Sequence, residues 1–102
     1  MTNQLEVRVR YATLIEVDNS REDPKAGRAG LRDELAPALR SMPGFVSALL
    51  LTAYERGRGV AVVVFETRDQ AQRPIGAIGE GHEIRAGVVV TDTDILEVTA
   101  AA

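Results

Sequence analysis

Two neighbouring segments of this chain carry apolar side chains on both of their faces. Residues 45–54 include Phe45, Val46, Ala48, Leu49, Leu50 and Leu51, and residues 60–65 read Val-Ala-Val-Val-Val-Phe. β-branched and aromatic residues in runs this short predict strands, and apolar groups at both parities predict burial from both sides. Between them lies Glu55-Arg56-Gly57-Arg58-Gly59, a hairpin connection whose glycines can supply positive φ. A sheet containing this hairpin has no polar side to offer water.

The flanking segments predict the partners of that hairpin. In residues 5–17 the odd positions Leu5, Val7, Val9, Tyr11, Thr13, Ile15 and Val17 form a core-facing row, while Glu6, Arg8 and Arg10 begin the other face. Residues 18–30 hold Asn19-Ser20, Asp23-Pro24, Gly27 and Gly30, which predict a loop with at most a weak first helical turn. From Leu31 the apolar residues Leu35, Ala38, Leu39 and Met42 recur at helical spacing, with Pro37 as a kink or local irregularity. Thr67-Arg68-Asp69-Gln70 matches a capping box and opens a second helix over residues 68–79, shortened by Pro74, Gly76 and Gly79. Residues 86–98 predict a fourth strand, with a break at Asp92 or Asp94.

The order β-α-β-β-α-β, with right-handed crossovers, predicts an α+β fold: a ferredoxin-like antiparallel sheet in a single domain over residues 1–102. Both helices cover one face and the other stays open. With apolar residues on both sides of its central hairpin, that open face predicts a homodimer in which two sheets pack face to face.

Composition narrows the function classes. The formal charge is −3, with no run of like charge, which excludes a basic nucleic-acid surface or a polybasic membrane patch. There is no cysteine, hence no disulfide, thiolate metal site or cysteine nucleophile, and no metal site is expected. The opening residues do not read as a secretory signal and no apolar run reaches membrane-span length, so the expected compartment is the cytoplasm. With 4% aromatic residues and no Trp, the core must be aliphatic.

Few side chains carry chemistry. His82, the single histidine, lies in Glu80-Gly81-His82-Glu83 near carboxylates; as a base or ligand it competes with the reading of a solvated loop residue. Asp92 and Asp94 share one strand face, where they bind a cation, form a carboxylate pair with a raised pKa, or keep an exposed edge from pairing by charge, the last being the favoured reading. Gly76-Ala77-Ile78-Gly79-Glu80-Gly81 follows a helix rather than a strand, so it is not a nucleotide fingerprint. Tyr11 and Thr13 on the core-facing row, Tyr54 closing the second strand, Phe65 closing the third, and His82 are the candidate pocket residues, with a tyrosine hydroxyl as a substrate hydrogen-bond donor. No residue is assigned a catalytic role.

Three stretches carry a resemblance: the helix end running into a strand, Leu39-Arg40-Ser41-Met42-Pro43-Gly44-Phe45-Val46; the segment Val62-Val63-Val64-Phe65-Glu66-Thr67; and Ile95-Leu96-Glu97-Val98. Here the chain resembles the dimeric α/β-barrel superfamily, and within it the antibiotic-biosynthesis-monooxygenase-like group. The resemblance implies a homodimer with a pocket between sheet and helices in each subunit, binding a small apolar substrate, and in catalytic members cofactor-independent oxygenation or haem degradation. Such members commonly carry a Trp at the end of the third strand, an Asn on the first strand and, in haem degraders, a His on the second helix. This chain has Phe65 at the first position, no Asn in residues 5–17 and no His in residues 68–79, which argues against haem degradation. No cofactor is expected. Two expectations stand side by side: an oxygenase-like enzyme acting on a small apolar substrate, and a non-catalytic binding or structural homodimer on the same scaffold.

Overall fold

A computed structural model describes residues 8–102. In chain order the elements are β1 (Tyr11–Asp18), α1 (Pro24–Gly30), a π-helical turn (Leu31–Leu35), α2 (Ala36–Arg40), β2 (Phe45–Ala53), β3 (Arg58–Phe65), α3 (Arg68–Gly76), β4 (Glu83–Arg85) and β5 (Val88–Glu97). The strands form one five-stranded antiparallel sheet in the order β2-β3-β1-β5-β4. Its four long strands, β2-β3-β1-β5, lie in the order of a split βαβ sheet, as the element order predicts. Helices pack on one face only.

Several boundaries differ from expectation, each for a local reason. The sheet has five strands rather than four, because residues 83–85 fold back on the start of β5. The turn between them uses Gly87 at φ 81°, so Ala86-Gly87 is the turn and not the start of the last strand. β5 is unbroken at Asp92 and Asp94; its register against β1 shifts where Val17 faces Val90 and Glu16 faces Asp92. β1 begins at Tyr11; residues 5–7 of the expected strand lie outside the described residues. Residues 8–10 are not in a strand, although the Val98 amide still donates to the Arg10 carbonyl at 2.8 Å.

The first helical segment starts at Pro24 rather than Leu31. Asp23 caps it, its carboxylate accepting from the Ala26 amide at 3.0 Å, and Pro24 follows with φ already set for a helix. Gly27 and Gly30 lie inside it, at a cost of about 0.5–1 kcal/mol each relative to Ala. A Cβ on Gly27 would stand 2.6 Å from Glu22 Oε1, and one on Gly30 would collide with the Arg85 guanidinium, so both glycines clear space for those side chains. Pro37 produces the expected irregularity. The Ala36 amide bonds back five residues to the Leu31 carbonyl, and this π turn places Pro37 in the first turn of α2, where a missing N–H costs little. The capping box of α3 forms in full: the Gln70 amide donates to Thr67 Oγ1 at 3.2 Å, and the Thr67 amide donates to Gln70 Oε1 at 3.1 Å.

The core sits where α2 and α3 meet one end of the sheet. Phe65, Ala71, Val63 and Leu39 are buried there, with Tyr11, Phe45 and Ile95 packed around them. Thr13 is fully buried and its hydroxyl donates to the Ala71 carbonyl, which ties β1 to α3. Phe65→Ala is expected to cost about 3–5 kcal/mol, the usual penalty for an emptied aromatic site. Urea unfolding would show this, and a loss under about 1 kcal/mol would contradict the placement of the core.

Near the opposite end of β1, the Ser20 hydroxyl and amide donate to Asp18 Oδ1 at 2.6 and 2.8 Å. These bonds, with a smaller effect of Arg21, hold the Asp18 carboxyl below its usual value near 3.8. The sign is the usual carboxylate one: the contribution is present above the ordinary value and fades as pH falls through the lowered one. Asp18→Asn is therefore expected to reduce the steepness of acid unfolding, measured as the midpoint against pH.

Candidate functional site

β3 is tapered. Its helix-facing row runs Gly59, Ala61, Val63, Phe65 from its start to its end, set by the pairing of Val17 with Gly59, Ile15 with Ala61, Thr13 with Val63 and Tyr11 with Phe65. At the Phe65 end the large side chains fill the space under the helices. At the Gly59 end they cannot, and a cavity of about 580 Å³ remains between sheet and helices. That is within the range of small-molecule sites.

Its walls are mainly aliphatic. Ile15, Val17 and Leu50 line it from the sheet; Leu31, Leu35 and Leu39 face them from the first helical segment; Pro74, Ile78 and Ile84 close a third side. Leu31, Leu35, Leu50 and Ala61 are only half-buried although they lie between sheet and helix, because they border open space. Polar groups gather at the Gly59 end. Thr52 pairs with Gly59 across the strands, and the Asn19 side-chain amide lies 3.5 Å from where a Cβ on Gly59 would stand. On the β4 side of the cavity Arg85 Nε stands 2.7 Å from Glu22 Oε2 in an ion pair, with the Glu22 side chain only 14% exposed. Glu34, from the π turn, also borders the cavity.

The residues singled out from sequence lie elsewhere. Tyr11 and Phe65 are brought together as cross-strand neighbours, with Thr13 one step along the same row, but all three belong to the filled end of the sheet. Tyr54 sits in the 3-10 turn after β2, with the Arg28 guanidinium 4.3 Å from its ring centre, beside a shallower and more open recess. His82 is exposed in the turn before β4, where its carbonyl accepts from the Val90 amide at 2.8 Å. None of these five side chains lines the cavity. Arg10 pairs with Glu66 at 3.2 Å.

On the open face, Asp92 lies across from Glu16, and Arg58 forms an ion pair with Glu16 that offsets the like charges. The Asp94 carboxylate accepts from the Ile95 amide at 2.8 Å. The β5 side of this face is thus acidic. Its β2–β3 side is apolar, with Leu49 63% and Leu51 50% exposed beside Val60, Val62 and Val64.

Fold and site together define an α+β protein with an open antiparallel sheet, two helical segments on one face and an aliphatic cavity beneath them. No family model matches the chain, and no curated protein matches it. Among the described residues no helix is long and apolar enough to cross a membrane, and no group of three or more His, Cys, Asp or Glu side chains stands together to hold a metal ion.

Proposed function

We propose that the chain is a cytoplasmic homodimer in which each subunit holds a small apolar molecule between sheet and helices. The carrying observation is the 580 Å³ aliphatic cavity that Gly59 and Ala61 keep open. A space of that size left unfilled forfeits packing that larger side chains would supply, which favours a bound occupant over a purely structural role. Pairing of two subunits is supported by the exposed leucines of the open face, a patch that monomers seldom present to water. Two such faces packed together complete a barrel.

The lining favours holding a molecule over transforming it, since its ionisable groups are Glu22, Glu34 and Arg85, the first and last already paired. The oxygenase-like reading rests on the sequence resemblance and on the same apolar walls, which would exclude water from a reacting substrate. Titration with N-phenyl-1-naphthylamine, a neutral apolar fluorophore, tests the binding reading directly, because the chain has no Trp to interfere. The expected result is a saturable rise of one probe per chain, reversed by decanol. A linear, unsaturable rise would refute it.

A further inference from the structure

Resting on the binding reading above, we infer that the cavity takes a neutral, chain-like molecule, its apolar tail seated against Val63 and its one polar group left at the Gly59 end. Two rows of lining side chains give the cavity a length. On the sheet side Gly59, Ala61 and Val63 follow one another along β3, with Thr52 across from Gly59 and Leu50 across from Ala61. On the helix side Leu31, Leu35 and Leu39 recur four residues apart. The rows run in the same order. Leu31 borders the shallow recess together with Thr52, at the Gly59 end, and Leu39 is buried in one cluster with Val63. Four residues of strand span about 13 Å and eight of helix about 12 Å, the length of an extended chain of about ten carbons.

The two ends differ. The Val63 end is a floor: Val63, Leu39 and Met42 line it, and Phe65 and Ala71 of the same cluster are fully buried. A hydroxyl pressed against this apolar floor would give up its water for no side-chain partner. The Gly59 end is a mouth, where the cavity and the shallow recess share Leu31, Leu50 and Thr52. Thr52 supplies a hydroxyl there, and the Asn19 amide nitrogen lies 3.5 Å from where a Cβ on Gly59 would stand. Both groups are uncharged. The ionisable residues of the lining are two acids and one arginine, Glu22, Glu34 and Arg85, a negative balance that disfavours a carboxylate on the ligand. A floor and a mouth make the cavity a gauge of chain length, with Val63 as the residue that sets it.

Displacement of bound N-phenyl-1-naphthylamine by the straight-chain alcohols from hexanol to tetradecanol, at neutral pH, reads the gauge. Each added methylene is expected to lower the concentration needed by about threefold to fourfold, the transfer gain of a buried CH2, and the gain is expected to stop at about ten carbons. Decanoate is expected to need at least about threefold more than decanol. A decanediol with a hydroxyl at each end is expected to need at least about tenfold more, because its second hydroxyl meets the floor. Val63→Ala deepens the floor and is expected to move the break about one carbon longer. The alcohol series in the unaltered protein decides the length claim whether or not that variant folds. A gain that continues unbroken to tetradecanol, or a decanediol as effective as decanol, would overturn the closed floor. An unmoved break in folded Val63→Ala would overturn the role of Val63, and decanoate outperforming decanol would overturn the neutral head. Each of these results leaves the cavity reading intact. Failure of every alcohol to displace the probe would overturn the cavity reading itself.

Discussion

Ala61→Trp is expected to weaken binding of the apolar probe by roughly tenfold to a hundredfold while the protein stays folded. The indole would project from the middle of β3 toward Leu35, across the space that the occupant needs. Ligand and indole could coexist only by overpacking, at about 1–3 kcal/mol, which converts to that range of affinity. Ala61 borders the cavity but also packs beside the buried Leu39, Val63 and Phe65, so the urea midpoint is expected to fall by no more than an overpacking cost of about 1–3 kcal/mol. Unchanged probe affinity in a folded Ala61→Trp variant would place the binding site elsewhere.

Val62→Asp, one residue along, is expected to act on the other face and turn the proposed dimer into a monomer. Val62 lies mid-strand on the open side, between Leu49 of β2 and Leu14 of β1. Pairing two such faces would bury one unpartnered carboxylate per subunit at several kcal/mol each, weakening association by about a thousandfold or more. Light scattering at micromolar concentration would then fall from about twice the chain mass to the 11.0 kDa of a single chain. An unaltered protein that already runs at 11.0 kDa would sink the homodimer proposal. Probe binding in the monomeric variant is expected to persist, since the cavity is built from one chain.

These two substitutions concern adjacent residues, which any strand points to opposite faces, and that residues 60–65 form a strand is legible in the sequence alone. So is the capping box at Thr67, because its bonds are local and its residues specific. Asp23-Pro24 is ambiguous: the same pair opens a turn or caps a helix, and only packing of the following residues on the sheet decides. β4 has no local signature, since Glu83-Ile84-Arg85 becomes a strand only through its pairing with β5. The cavity is hidden for a related reason. Tyr11 and Thr13 lie on the helix-facing side, as their parity predicts, and Phe65 joins them there, but at the end of the sheet where large residues close the space. The signal lies in the small residues Gly59 and Ala61. They mark a cavity only once it is known which face of β3 the helices cover. Arg85 and Glu22 come from segments far apart in sequence, and no spacing rule joins them.

The most direct measurement is a crystal structure of the protein grown with bromobenzene, read by the anomalous scattering of bromine. An apolar cavity of this size should admit the molecule without rearrangement. The expected result is one bromine peak per chain beneath the helices, within contact of Ala61 and Leu35. A cavity closed by side chains folded onto Ala61, with no bromine between sheet and helices, would contradict the account.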